Sequence, residues 1–176
     1  MNNKFEKIYK LKIRIVGSPG SGKTYISNII SKKLNTKAID LDEIFWNMSS
    51  TGNRIKNDYL NRESELNSIL LNTSWIIEGV YINPWTFPTF SEADYILVIK
   101  TNKWTQYYRL FKRFFIRKFT NYRPKETLKD FKNLISWSFQ YQKNLDDFIF
   151  NNSYSNKIIT IKTSKDLTNF LNLFSN

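Results

Sequence analysis

The sequence predicts a three-layer α/β sandwich on a five-stranded parallel sheet, and three observations carry that prediction. Five short β-branched or apolar runs punctuate the chain, at residues 11–16, 37–41, 74–79, 94–99 and 157–161. Segments with apolar residues at spacings of three and four separate them, the alternation that puts helices on both faces of a parallel sheet. The third observation is the octapeptide Gly17-Ser18-Pro19-Gly20-Ser21-Gly22-Lys23-Thr24, which fits G-x-x-x-x-G-K-S/T at every fixed position.

The first run, Leu11 to Val16, ends directly on that octapeptide, and Ile26, Ile29, Ile30 and Leu34 mark the helix that follows. In a strand–loop–helix setting, glycines let backbone N–H groups curl around an anion, and the helix N-terminus adds partial positive charge. Gly17, Ser18, Gly20, Ser21 and Gly22 are the expected cradle; Lys23 reaches the β/γ-phosphates and the Thr24 hydroxyl ligates Mg²⁺. Three of the chain's five glycines fall in these eight residues, so the loop is not a by-product of glycine-rich composition. The expectation is a site for a nucleoside triphosphate, ATP with Mg²⁺.

The second run, Lys37 to Leu41, closes in Asp40-Leu41-Asp42-Glu43-Ile44-Phe45-Trp46. Ligands of doubly wound sheets lie beyond the carboxyl ends of the strands, which sets this acidic turn near the glycine loop. Residues 47–57 are polar, carry Gly52 and read as a loop. Asp58 to Leu71 returns to helical spacing through Tyr59, Leu66, Ile69 and Leu70. Ser74 to Gly79 reads as a buried parallel strand closed by Glu78. Residues 83–90 hold Pro84 and Pro88 and read as an irregular stretch. Asp94 to Ile99 is the fourth strand.

From Trp104 to Phe119, spacing predicts a helix with Trp104, Tyr108, Phe111, Phe115 and Phe119 on one face and Arg109, Arg113 and Arg117 on the other. Residues 121–125 read as a break. A second long helix runs from about Glu126 to Phe150, with Leu134, Trp137, Tyr141, Leu145 and Phe148 as its apolar members. Lys157 to Ile161 is the fifth strand, and Ser164, as N-cap, opens a closing helix to Phe174. Neither an internal repeat nor a domain boundary interrupts the 176 residues, which predicts a single domain over 1–176.

Composition narrows the chemistry. Cysteine and histidine are both absent, which excludes disulfides, thiolate–zinc sites, thiol nucleophiles and His-based acid–base catalysis. Carboxylates, Lys, Arg, hydroxyls and a metal remain. Lys and Arg total 27 against 15 Asp and Glu, a net charge of +12. Such a balance points to nucleic acid, an anionic membrane surface or a site handling several phosphates, against the alternative of a merely solvated basic surface. The first six residues lack an apolar core, which predicts no signal peptide. No apolar run approaches the ~20 residues that span a bilayer. The expected location is the cytoplasm, with no membrane partner.

Phosphoryl transfer needs charge neutralisation, positioning and a carboxylate to orient the nucleophile, and this inventory supplies them. Asp42 or Asp40 is the candidate to accept a proton from an acceptor hydroxyl; capping of the next helix is the competing role. Glu78 either holds a metal-bound water or pairs with a structural basic group. The Arg109/Arg113/Arg117 stripe, with Arg123 beyond it, either closes over triphosphate or forms a solvated helix face. Trp46 is an acceptor-pocket wall or a core residue.

Several blocks together resemble the adenylate-kinase-related P-loop proteins labelled DNA topology modulation proteins (FlaR-like), within the nucleoside/nucleotide-kinase-like group. They are Ile15 to Thr24, Leu41-Asp42-Glu43-Ile44-Phe45-Trp46, Trp75-Ile76-Ile77-Glu78-Gly79-Val80-Tyr81, Ala93-Asp94, Lys103-Trp104 leading into the Arg109/Arg113 helix, and Arg123-Pro124. The resemblance spans about Lys12 to Phe170. It implies a nucleotide-kinase strand order, Asp42 facing the acceptor, and a helical lid over about residues 109–130.

The resulting expectation is Mg²⁺/ATP-dependent transfer of the γ-phosphoryl group to a small hydroxyl- or phosphate-bearing acceptor, such as a nucleoside or nucleotide. Lys23, Asp42, Arg113 and Arg117 are the expected catalytic residues. Gly17, Ser18, Gly20, Ser21, Gly22, Lys23, Thr24, Arg109 and Arg123 bind nucleotide, and Thr24 and Glu78 serve the metal. The alternative is an ATP-binding switch or weak ATPase associated with nucleic acid.

Overall fold

Strand β1 (Lys12–Gly17) is buried from Ile13 onward and occupies the centre of the sheet. The computed structural model describes residues 10–49, 54–120, 127–151 and 154–175. In it β1 pairs in parallel with β5 (Trp75–Glu78) on one side and β6 (Tyr95–Ile99) on the other. Outside these lie β2 (Ala38–Asp40), parallel to β5, and β7 (Ile158–Ile161), parallel to β6. The order β2-β5-β1-β6-β7 is the five-stranded parallel sheet that the apolar runs predict.

Alternation along the strands divides the core. Ile13 and Ile15 of β1, with Ile76, Leu97, Ile99 and Ile161, face α1 (Lys23–Leu34) and α7 (Ser164–Asn172) through Ile26, Ile30, Leu34, Leu167 and Phe170. Val16, Ile77, Ile96 and Val98 face the opposite layer. It comprises α2 (Leu41–Phe45), α3 (Tyr59–Leu70), α4 (Phe87–Ser91) and α6 (Leu128–Asn151), and packs with Leu41, Leu66, Phe90 and Leu145. Each fully buried aliphatic side chain contributes about 1.5–3 kcal/mol.

Registers bring the site together. Glu78 lies opposite Ile15 of β1 on one side and Asp40 of β2 on the other, so both carboxylates emerge at the carboxyl end of the sheet beside the glycine loop. That is where the sheet order reverses around β1 and where parallel α/β folds open their crevice.

Some elements differ from the sequence expectation. Within 47–57, Trp46–Met48 (β3) and Arg54–Lys56 (β4) pair as a short antiparallel ribbon; residues 50–53 lie outside those described. The stretch 83–90 is a 3₁₀ turn at Pro84–Thr86 running into α4, each proline sitting in a first turn, where its missing N–H costs nothing. Helix α7 is capped by Thr163 and not by Ser164. The Thr163 hydroxyl accepts from the Asp166 N–H, and the Asp166 carboxylate accepts from the Thr163 N–H at 2.8 Å, a closed capping box.

Helix α5 (Lys103–Phe119) carries both expected stripes, and its buried face comes from neither. Its buried residues are Gln106, Leu110 and Phe114, whereas Trp104, Tyr108, Phe111, Phe115 and Phe119 are all exposed. The break expected at 121–125, including Arg123, lies outside the described residues. Among the described residues no helix is long and apolar enough to cross a membrane.

Candidate active site

The glycine loop is drawn against α5 by its carbonyl groups. Gln106 Nε2 donates to Pro19 O at 2.7 Å, Thr101 Oγ1 to Ser21 O at 2.6 Å, and Arg109 Nη1 to Ser21 O at 3.1 Å. With these carbonyls engaged and the Ser21 N–H bonded to Ser18 O, the other loop amides are the candidates for an anion nest. Gly22 occupies the N-cap of α1 at φ 99°, with no side chain bonded into the cap. A Cβ there would meet Arg109 Nη1 at 3.0 Å, so glycine serves both the backbone turn and the arginine's approach.

Lys23 opens α1 and is almost wholly buried. Its Nζ donates to Ser18 O at 3.2 Å, and burial pushes its pKa down, with Glu78 and Asp40 pulling it back up. Next along, the Thr24 hydroxyl donates to Glu78 Oε1 at 2.5 Å. Mg²⁺ keeps several waters and takes one or two protein oxygens plus substrate phosphates, so the Thr24–Glu78 pair suits a nucleotide-borne Mg²⁺. Among the described residues no three Asp or Glu side chains gather into a metal site independent of nucleotide.

Asp40, which ends β2, and Asp42, two residues on, have separate duties. Asp40 caps α2, its Oδ1 accepting from the Asp42 N–H at 2.9 Å. Burial, and then Glu78 beside it, pushes the Asp40 carboxyl up to about 6. Asp42 Oδ1 instead accepts from the Tyr81 hydroxyl at 2.7 Å. The Tyr81 ring stacks on Phe45 with centroids 4.7 Å apart, Trp46 meets Phe45 edge-on at 4.9 Å, and Trp85 closes the cluster behind Tyr81. Arg62 lies beneath it, its guanidinium 4.7 Å from the Phe45 ring.

Arg14 sets the turn that carries Tyr81. It is fully buried in β1, and its guanidinium donates to Ile15 O and Ile77 O through Nη1 and to Gly79 O and Tyr81 O through Nη2, at 2.8–3.3 Å. Its carbon also lies 4.9 Å from the Phe90 ring. Burial lowers its pKa to about 10, opposed by Tyr141 and Glu78. An arginine set between Ile13 and Ile15 inside a buried strand is the sequence signal for this role, and no motif marks it.

These groups share one cleft of about 1190 Å³. Its walls include Gly20, Gly22, Lys23, Thr24, Asp42 and Glu78 together with Arg109, Arg113 and Arg117. Gly17, Ser18 and Ser21 belong to the same loop but do not line the cleft, the two serines being buried. Arg123 falls outside the described residues. Trp46 lines the cleft on the Asp42 side, and α6 adds Trp137 and Tyr141, apolar members of its helical spacing, and Asn144, which no pattern singled out. One side is therefore cationic and amide-rich, the other acidic and aromatic.

No protein-family model matches the sequence, and comparison with curated proteins found no match. Solved structures do match in fold. Shikimate kinase from Bacteroides thetaiotaomicron aligns with a TM-score of 0.57 at 15% identity, covering 93% of this chain and 96% of that one. Deoxyadenosine kinase from M. mycoides with bound dATP aligns with a TM-score of 0.57 at 14% identity, covering 94% and 100%. A gluconokinase from Sinorhizobium meliloti gives 0.56 at 8% identity, covering 94% and 90%. The chain thus has the nucleotide-kinase-like P-loop fold.

Proposed function

We propose that this protein transfers the γ-phosphoryl group of ATP, in the presence of Mg²⁺, to a hydroxyl group on a small uncharged acceptor. The observation that carries this reading is the polarity of the cleft, with the glycine loop, Lys23 and three arginines facing an acidic, aromatic-walled half centred on Asp42. On the first side, loop amides and Lys23 hold the β- and γ-phosphates, and the arginines offset charge that spreads over the transferring group. Mg²⁺, held through Thr24 with Glu78 behind it, would neutralise phosphate charge. On the other side Asp42 accepts the acceptor's hydroxyl proton, and Tyr81 fixes the orientation of that carboxylate.

Asp40, Asp42 and Glu43 line the acceptor half and disfavour a phosphorylated or carboxylated acceptor there, with Arg54 at its edge on the ribbon that carries Trp46. Phe45, Trp46 and Tyr81 offer ring faces to a flat or apolar flank of the acceptor instead. The neighbouring folds belong to shikimate, gluconate and deoxyadenosine kinases, and their range of acceptors leaves this acidic, aromatic half as the better guide to class.

ADP release should be measured with nucleosides, polyols and nucleoside monophosphates, with Lys23→Ala as the blank. Unphosphorylated hydroxyl compounds are expected to stimulate it. Stimulation by monophosphates alone would overturn the uncharged acceptor. Stimulation by DNA alone would replace acceptor kinase with the nucleic-acid-linked ATPase, and no stimulation across the panel would remove phosphotransfer.

A further inference from the structure

We propose that α5 docks this protein on anionic lipid surfaces through its exposed aromatic stripe. Trp104, Tyr108, Phe111, Phe115 and Phe119 keep to one side of the helix over about 22 Å. They stand open to solvent, Trp104 at 81%, Tyr108 at 66% and Phe119 at 77% of full exposure. The helix is held to the fold mainly through Gln106, Leu110 and Phe114; of the stripe, Phe111 also meets Phe131, and Phe111 and Phe115 are about half exposed. Phe131 and Ile135 of α6 extend the apolar surface beside Trp104 and Phe111 as a shallow groove.

Charge selects the occupant. Helix α5 carries Lys103, Arg109, Lys112, Arg113, Arg117 and Lys118 and no acidic residue. Lys112 and Lys118, both exposed, border the rings on either side, and the Lys118 ammonium lies 5.8 Å from the Phe114 ring. A second copy docking through the same face would oppose like charges on like, which disfavours self-association.

Single-stranded nucleic acid needs separate ring faces on which bases stack. Here the phenylalanines cover one another, Phe111 and Phe115 at 4.4 Å and Phe115 stacked with Phe119 at 6.0 Å. One continuous apolar ridge between basic flanks matches an anionic bilayer surface, where rings enter the acyl boundary and lysines meet headgroups. Trp104 and Tyr108 add side chains suited to the headgroup level. Docking of this kind needs no membrane-crossing segment; it departs from the expectation of no membrane partner and takes up the anionic surface that the net charge of +12 also allows.

The test is co-sedimentation of the full chain with vesicles of phosphatidylcholine alone and of phosphatidylcholine mixed with phosphatidylglycerol. Binding is expected to the mixed vesicles and not to the neutral ones. Replacing the exposed rings by Trp104→Ala with Phe119→Ser should lower the partition coefficient at least ~10-fold. Lys112→Gln and Lys118→Gln should each lower it about fivefold. These side chains are exposed, so the variants keep the fold, and retained ATP binding checks this.

No binding to mixed vesicles overturns the proposal. So does binding that ignores the ring variant, which would reduce it to net charge. Ring-dependent binding of an oligothymidylate without vesicle binding assigns the face to nucleic acid, and ring-dependent dimerisation assigns it to a second copy; either result also overturns the lipid proposal.

Discussion

Lys23 and Asp42 lie on opposite halves of the cleft, and their replacement should separate two kinds of loss. Lys23→Ala removes a cation bonded to its own loop rather than one packed into the core. The variant is expected to fold normally and to lose transfer by ~3–4 kcal/mol of barrier, measured as kcat for ADP release. Asp42→Asn should cut acceptor-dependent kcat by ~10²–10⁴-fold while ATP affinity, measured by titration, stays unchanged. Loss of ATP affinity in Asp42→Asn would make it part of the nucleotide site instead.

Asp40 gives a prediction in stability. Its folded pKa of about 6 stands above the ordinary 3.8, so within that interval the folded chain keeps a proton that the unfolded chain has released. Stability therefore falls as pH rises from about 4 to about 6, and the full penalty applies at pH 7. Asp40→Asn retains the capping oxygen and loses the charge. Because Asp40 is partly exposed, solvent screening trims the gain to about 1 kcal/mol at pH 7.5, or about 2–4 °C in Tm, vanishing near pH 3.5. A lower Tm at pH 7.5 would show that the carboxylate chiefly supports Lys23 and Arg14.

Among the elements, α5 joins the loop to the arginines. Arg113→Ala is expected to lower kcat most, by ~10³-fold or more if it meets the transferring group. Arg109→Ala removes the bonds to the Gly20 and Ser21 carbonyls and should raise KM for ATP as well. If all three arginine variants keep wild-type turnover, the helix is not part of the nucleotide site. At the other end of the chain, Thr163→Ala opens the capping box of α7 and should cost about 1 kcal/mol by denaturant melting.

These two helices also show what periodicity conveys. Helical spacing located α5 and both its stripes, and left the buried face unassigned. Gln106, Leu110 and Phe114 lie at intervals of four between the arginines and the aromatics, a narrow seam that includes a polar residue. Nothing in the spacing marks that seam, because only tertiary packing decides which face meets the fold. In α7, Thr163 and Ser164 are both good caps, and Asp166 three positions after Thr163 is what favours the former.

On the scale of the whole molecule, short-range signals were the legible ones. The five apolar runs became the five parallel strands, and the glycine octapeptide lies between β1 and α1. Asp42 and Glu78 were readable because each directly follows or ends a strand, so topology alone brings them toward the loop. Tyr81 on Asp42, Trp137 and Tyr141 on the far wall, and Arg14 under the turn depend on contacts between distant segments. No local pattern encodes those pairings.

Arg14 links the middle of the sheet to the mouth of the cleft. Its four carbonyl partners run from Ile15 in β1 to Tyr81 beyond β5, so the turn 79–81 cannot lift away without stripping the buried Nη2 of both its partners. Such a segment opens only when the sheet does. Amide hydrogen exchange should show this: the Gly79 N–H, bonded to Ile15 O, is expected to exchange as slowly as the amides of β1 and with the same denaturant dependence. Rapid, denaturant-independent exchange there would mean that the turn moves on its own. With global opening, the acceptor side of the cleft would stay preorganised between turnovers, leaving substrate entry to be timed by parts of the protein other than this turn.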